Sequence, residues 1–423
     1  MNALHDELAG AVADKIAGRR AQAYRRFNAL CTDHPGYAPG FYELALLRGE
    51  DHAPEDALRL ARAARAVDGR DLRIGLLLLH RLHASGERAE ALRLAAELVP
   101  DSSESAQRIA VLNSFGAYLD AVPHQEARRL LDAVRVRYNW LDVRTLAARI
   151  EAAVEERRPF ALIRLGDGEG AFARVDPADD ARFSPLYGWM RDDWVRFQFG
   201  PGFDPYASGY DALTRQLMDQ VVQADVLGVP YPGWVDHEYG IGSPRGVPCV
   251  MNVHRHLLAV DLPSPPELCD QIVHLHLHDE GRLEPLIRRA GRLTAISCLP
   301  DLPRVLQRRF GLVEADLIAV PREDTAPHLR TGLAVEGAHF PDVFWRVMRQ
   351  LSDPPQGSWN GRLFLVAAGT LGKFYSVAIK RHGGIALDLG SLVDGWLKLP
   401  SRAGYRDQFA LETDEEAPVS EPA

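Results

Sequence analysis

Residues 160–170 read FALIRLGDGEG. The run is apolar up to Leu165 except for Arg164, and it stops on Gly166, Asp167, Gly168, Glu169 and Gly170. A short apolar run that ends on a glycine-rich polar stretch predicts a buried strand followed by a loop. Asp167 and Glu169 are two residues apart, so in an extended loop their carboxylates can point the same way. Gly168 between them allows an unusual backbone angle and close approach of a ligand. Two hard oxygen donors at a strand end suit Mg²⁺ or Mn²⁺, completed by water and a substrate diphosphate. A metal bridging a diphosphate stabilises the charge that develops on the leaving group. The plainer reading of the same residues is a glycine-rich turn with solvated acids.

Downstream, apolar runs alternate with amphipathic ones. Residues 225–230, 271–276, 293–298, 317–320, 363–368 and 384–389 read as strands, and 213–223, 284–290, 302–310, 339–351 and 371–382 as helices. This alternation predicts a parallel sheet flanked by helices, with ligands at the carboxyl ends of its strands. Two further loops sit at such ends. Gly369-Thr370-Leu371-Gly372-Lys373 follows a strand and opens a helix, where backbone N–H groups favour phosphate and Lys373 adds charge. It lacks the spacer and hydroxyl of an ATP-binding P-loop, and a tight turn with a surface lysine is the alternative. Asp388-Leu389-Gly390-Ser391 ends the last strand. Its carboxylate could bind a ribose or sugar hydroxyl or orient a metal, or the stretch could be a simple cap and turn. Asp394 and Arg402 lie just beyond.

Two other stretches compete. His274, His276 and His278 alternate with leucines, and on a strand they would share one face as a transition-metal site. No second His-x-His or HxxH supports it, so His276 or His278 is expected to border the cleft as a hydrogen-bonding or basic group, and His274 to be structural. Residues 231–245, YPGWVDHEYGIGSPR, read as a lid or acceptor-side loop. There Trp234 could stack on a sugar, and Asp236 or Glu238 could act as a base.

IRLGDGEGAF resembles the Arg-aromatic-Gly-Asp-Gly-Glu motif of the GT-D fold glycosyltransferases, with Leu165 where an aromatic is common. ADVLGVPYPGW (224–234), AISCLPDL (295–302), AAGTLGKFY (367–375) and GGIALDLGSLVDGW (383–396) resemble that family's later blocks in the same order. The resemblance implies that Asp167 and Glu169 bind a divalent cation, Mn²⁺ or Mg²⁺, together with a nucleotide-diphosphate sugar such as a UDP-sugar. It implies that residues 369–373 hold the donor diphosphate. Arg164, Gly166, Gly168, Gly369, Thr370, Gly372, Lys373 and Ser391 are the expected donor-binding residues, and Asp167, Glu169, His276 and Asp388 the expected catalytic ones.

The front of the chain repeats. ALRLA occurs at 57–61 and again at 91–95, and the same register reaches back to Ala23. Phe27, Ala61 and Ala95 then fall in equivalent places, as do Leu30, Ala64 and Leu98, with turns at Pro35, Gly69 and Pro100. Helical hairpins repeating every 34 residues resemble the tetratricopeptide (TPR) family, whose arrays offer a concave binding surface. A packing or dimerisation module is the alternative.

The 423 residues exceed one ordinary domain, and 46% hydrophobic with 25% charged composition is that of a globular protein. A net charge of −9 argues against nucleic acid as a partner. Four scattered cysteines without a CxxC pair favour reduced thiols in a cytoplasm. No apolar run is long enough to span a membrane.

These readings combine into a fold expectation: an α/β, Rossmann-like, mostly parallel GT-D type domain over 138–408, an all-α TPR-like domain over 1–137, and a disordered acidic tail over 409–423. The expected activity is metal-dependent transfer of a sugar to an acceptor hydroxyl. The acceptor would be a protein or glycan recruited by the repeats, and a homodimer is compatible. The alternatives are a non-catalytic TPR scaffold with a degenerate nucleotide-sugar domain, or a histidine-site metal hydrolase. The sequence leaves open the sugar, the acceptor, the base and the stereochemical outcome.

Overall fold

The computed structural model describes residues 2–166, 168–173, 175–323, 333–354, 359–399, 408, 409 and 411. Asp167, Arg402 and the expected tail beyond 411 lie outside the described residues. Two compact units divide the chain. One is Met1–Asp132, Val175–Asp192 and Pro232–Arg255, and the other is Ala133–Arg174, Asp193–Tyr231 and His256–Ala423.

The first unit is helical. Helices Arg20–Asp33, Pro54–Val67 and Arg88–Glu97 begin 34 residues apart, and so do Ala38–Glu50 and Leu72–Ala84 between them. Ala23, Ala57 and Ala91, at equivalent places in the first set, are fully buried, so the repeat in sequence is a repeat in packing. The turns expected at Pro35, Gly69 and Pro100 fall between these helices. Asp71 caps one by accepting the Arg73 N–H at 2.8 Å, and Ser102 caps Ser103–Ala121 in a reciprocal arrangement with Ser105. The region is consistent with helical repeats.

Residues 232–255 correct the reading of a lid loop. Pro232–Ile241 is a helix held to its own unit: His80 Nε2 lies 2.6 Å from the Gly242 carbonyl, and Tyr239 Oη donates to Val122 O at 2.8 Å. Asp236 is engaged by His124 Nε2 at 2.7 Å and by Arg128 Nη2 at 2.6 Å. Trp234 stacks on His237, whose Nδ1 lies 2.8 Å from His52 Nε2. Proline at the second position of the run and the absence of β-branched stretches let it close as a helix once a packed surface is available.

The second unit is built on a seven-stranded sheet: β1 (Phe160–Arg164), β2 (Val226–Val229), β3 (Glu267–Asp270), β4 (Arg292–Ser297), β5 (Glu314–Ala319), β6 (Leu363–Val366) and β7 (Ile385–Asp388). The order is β3-β2-β1-β7-β6-β4-β5, and every pairing is parallel. Such a sheet is covered on both faces, which is why VLGV and LFLV read as unbroken apolar runs, IALD is apolar up to its terminal Asp388, and all three are buried throughout. Helix Leu371–Arg381 lies over β1, β6 and β7, and Val143–Glu155 packs against Leu283–Ala290. In place of the single helix expected over 213–223 there are two short ones, Tyr210–Thr214 and Leu217–Val221.

The strand expected at 271–276 is not one. The strand is β3, just before it, and Val273–Asp279 is a helix. The alternation in VHLHLHD imitates a strand's period of two, yet the segment buries Val273, His274 and Leu277, which is helical spacing.

From β1 the chain steps outward through β2 and β3, then crosses to the other half of the sheet. The carboxyl ends of β1, β7 and β6 therefore lie side by side where the order reverses, the place at which open parallel sheets form a crevice. Among the described residues no helix is long and apolar enough to cross a membrane.

Candidate functional site

Three charged side chains meet at the carboxyl ends of these neighbouring strands. After β1 the backbone makes a tight turn of helix over Glu169–Phe172. The Glu169 carboxylate folds back so that Oε2 accepts the Gly166 N–H at 2.8 Å. Its Oε1 lies 3.5 Å from Lys373 Nζ. Lys373 comes from the helix after β6, and its ammonium also donates to Asp388 Oδ2, at the end of β7, across 2.5 Å. Glu169, Lys373 and Asp388 are 6%, 5% and 3% exposed, so these charges are matched out of water. Burial alone would raise the Asp388 pKa, but the Lys373 and Arg164 charges and their hydrogen bonds outweigh it and hold the carboxyl below its ordinary value.

Arg164, the last residue of β1, links the strand ends. Its backbone N–H donates to Asp388 Oδ2 at 3.1 Å and its Nε to the Asp388 carbonyl at 2.9 Å. Its Nη1 donates to Gln271 O at 3.1 Å and meets His274 Nδ1 at 3.0 Å. A guanidinium only donates, so His274 Nδ1 accepts and the ring is neutral with its proton on Nε2. His274, expected to be structural, is therefore the histidine that touches the cluster. Among the described residues no hydrogen bond or ion pair joins the His276 side chain to Glu169, Lys373 or Asp388, and His278 instead borders Trp396 and Phe409. The three imidazoles do not share the face that a strand would have given them.

The loop after β6 is held from beneath. Gly369 has φ +55°, a left-handed conformation that favours glycine. Thr370 is 1% exposed, and its Oγ1 accepts from Gln198 Nε2 at 2.6 Å and from Trp194 Nε1 at 3.2 Å. Tyr210 Oη donates to Gln198 Oε1 at 2.7 Å, which fixes the amide in that orientation. With both oxygen lone pairs used, the Thr370 hydroxyl keeps its own proton to donate, as a phosphate oxygen would require. The Trp194 ring also lies on Gly168, where a Cβ would collide with it. One indole thus ties the loop after β1 to the loop after β6. Trp194, Gln198 and Tyr210 come from the aromatic-rich stretch 194–210, which carries no short motif, and the sequence reading did not name them. The density of rings in that stretch was the signal available.

Beside this loop lies a cavity of about 370 Å³, lined by residues including Phe199, Arg322, Glu323, Glu336 and His339. It shares Gln198, Phe199 and Glu323 with a smaller hollow over Gly369, Thr370 and Leu371. Glu323 Oε1 is so close to Gly369 that a Cβ there would strike it. Ser391 precedes the short helix Leu392–Trp396 without a side-chain cap bond.

Glu169 is the described half of the expected Asp167–Glu169 pair. Among the described residues no group of three or more histidines, cysteines or acids converges as a metal site. Glu169 nevertheless suits one ligand position: its Oε2 is satisfied by the backbone, and among the described residues its Oε1 meets a lysine in a long ion pair, the lysine being held more tightly by Asp388. A hard carboxylate oxygen with lone pairs to offer is the donor type that Mg²⁺ and Mn²⁺ take.

A family model described as the GT-D fold-like domain matches residues 141–396, more than half of the chain. Comparison with curated proteins and with solved structures gives no match.

Proposed function

This chain belongs to the GT-D fold-like domain family, and on that premise we propose that it is a metal-dependent glycosyltransferase moving a sugar from a nucleotide-diphosphate sugar, a UDP-sugar in the simplest case, to an acceptor hydroxyl. The observation that carries the reading is the meeting of Glu169, Lys373, Asp388 and the Thr370 loop at three adjacent strand ends. Asp167 and Glu169 would hold Mn²⁺ or Mg²⁺, which when bound would offset the charge appearing on the departing nucleotide diphosphate. The Gly372 and Lys373 N–H groups already donate to carbonyls of Ala368, Gly369 and Thr370, so at the start of helix Leu371–Arg381 it is the Thr370 hydroxyl that suits the diphosphate. Lys373 acts one layer deeper, because its ammonium is engaged by Asp388 and Glu169. Arg164 and Lys373 together keep Asp388 ionised and in place, where it can accept from a ribose or sugar hydroxyl. The helical repeats would recruit a protein or glycan acceptor.

The test is a thermal-shift panel of nucleotide sugars with and without Mn²⁺, followed by assay of nucleotide release. Stabilisation by a UDP-sugar that depends on Mn²⁺ and is lost in Asp167→Ala is the expected result. Indifference of the unaltered protein to every nucleotide sugar would sink the proposal.

A further inference from the structure

Behind the Thr370 hydroxyl stand two side chains that belong to no motif. One helix, Ser184–Phe199, supplies both Gln198 and Trp194, whose N–H groups donate to Thr370 Oγ1. Gln198 also lines the hollow over Gly369, Thr370 and Leu371. A carboxamide has a donating end and an accepting end, and the end that meets Thr370 decides what the hydroxyl can do. With Nε2 toward Thr370 the amide donates, and the hydroxyl keeps its proton. With Oε1 toward Thr370 the amide accepts, and the hydroxyl gives its proton to it.

Tyr210 decides between the two. Its residue is 0% exposed, and its ring sits among those of Phe172, Phe199, Phe203 and Phe340, with centroids between 4.8 and 6.0 Å away. Burial, then the charges of Glu169 and Glu323, hold the phenol well above its ordinary pKa of 10, so it carries a proton to donate. Among the described residues the acceptor it reaches is Gln198 Oε1, at 2.7 Å. Turning the amide over would set Nε2 against the phenol and leave that buried proton without its acceptor, the costlier arrangement.

We propose that Tyr210 and Gln198 are positioning residues of the donor site: Tyr210 locks the Gln198 amide, and the locked amide leaves the Thr370 proton to a phosphate oxygen of the nucleotide-diphosphate donor. The assignment rests on the glycosyltransferase reading. Both residues act through Thr370, so their effect on the donor depends on the presence of its hydroxyl.

The experiment uses the full chain with Mn²⁺ and reads UDP affinity by titration calorimetry. Tyr210→Phe keeps the ring among its neighbours and removes the lock, and affinity should fall by about three- to tenfold. In a Thr370→Val background the same change should leave affinity within about twofold, because no hydroxyl remains to be misdirected. Gln198→Glu gives a readout that packing alone does not move. As a carboxylate the introduced group accepts from Thr370 and draws its proton away from the phosphate. As a neutral acid it donates to Thr370 as the amide does. The ratio of its UDP affinity to that of the unaltered protein should therefore rise as pH is lowered from about 8 to about 5.5, with the titration of UDP itself cancelling in the ratio. Unchanged affinity in Tyr210→Phe would overturn the assignment, as would a further loss of about threefold or more in the Thr370→Val background or a Gln198→Glu ratio that ignores pH. Should Gln198→Glu not fold, the two Tyr210→Phe comparisons decide alone. An unaltered protein that binds no UDP with Mn²⁺ would remove the glycosyltransferase reading itself, and the positioning role with it.

Discussion

Lys373 donates to Asp388 across 2.5 Å in a position where neither residue is more than 5% exposed, and the same ammonium reaches Glu169 Oε1 at 3.5 Å. A buried ion pair of this kind contributes less through its own attraction than through the penalty incurred when one partner is lost. Lys373→Met should therefore destabilise the protein by about 3–5 kcal/mol, because two buried carboxylates are left facing each other. Adding Asp388→Asn to that variant should restore part of the loss, although each change taken alone is damaging. Urea unfolding of the two single variants and the double variant measures this. Additive losses would mean that the three groups do not act as one cluster.

Gly168 has no room for a side chain because the Trp194 ring lies against it. Gly168→Ala should cost about 1–3 kcal/mol, the usual range for overpacking, or displace the indole from Thr370. Trp194 fluorescence distinguishes these outcomes: an unchanged spectrum with unchanged stability would show that the indole is not held there.

Thr370 uses both lone pairs on Gln198 and Trp194, so its remaining proton has an anion as its natural acceptor. Thr370→Ser retains the hydroxyl and should retain donor affinity. Thr370→Val keeps the shape, removes the donor and strands two buried N–H groups. Donor affinity should fall by about tenfold, the worth of a charge-assisted hydrogen bond, and the fold should lose about 1–3 kcal/mol. Titration calorimetry with UDP and Mn²⁺ is the measurement, and equal affinities in the two variants would remove Thr370 from the phosphate site.

Much of the architecture was readable because buried parallel strands announce themselves. LFLV, and IALD up to its terminal Asp388, are apolar since both faces of the sheet are covered. The repeat was readable from Ala23, Ala57 and Ala91, whose small size is imposed by close helix contact. The segment 273–279 misled because a helix that places His274 and Leu277 inward can still alternate histidine with leucine. At the site, Glu169, Asp388 and the glycine-rich turn carry local signatures, and so they could be picked out one by one. Their joining through Lys373 depends on strand order, which brings β1, β7 and β6 together from distant parts of the chain. Trp194, Gln198 and Glu323 belong to no recurrent spacing and acquire meaning only from what the fold sets beside them.

The alanines of the repeat give a separate test in the helical unit. Ala57 is fully buried at the place equivalent to Ala23 and Ala91. Ala57→Leu should cost about 1–3 kcal/mol through overpacking, whereas Arg59→Leu, two residues on and exposed, should cost little. Thermal unfolding followed by circular dichroism compares them, and equal effects would mean that the seam is loosely packed.

His339 supplies a pH dependence whose sign is fixed by its burial. Burial, helped by the Arg346 charge, lowers its pKa from 6.5 to about 3 in the fold. Between those values the unfolded chain takes up a proton that the folded chain refuses, so stability is complete above about 6.5 and is lost as pH falls toward 3. His80, lowered to about 4 by burial and the Arg81 charge, acts in the same direction. Asp388 does not contribute in this window, since its lowered pKa removes stability only when pH falls below its ordinary value of 3.8. From pH 7 to pH 5 His339 alone should account for about 2 kcal/mol of lost stability. His339→Gln can still bond Tyr375 but cannot titrate, so its unfolding free energy should change less over this interval by about that amount. Urea denaturation of both proteins at the two pH values makes the comparison, and parallel losses would show that His339 is not held neutral in the folded protein.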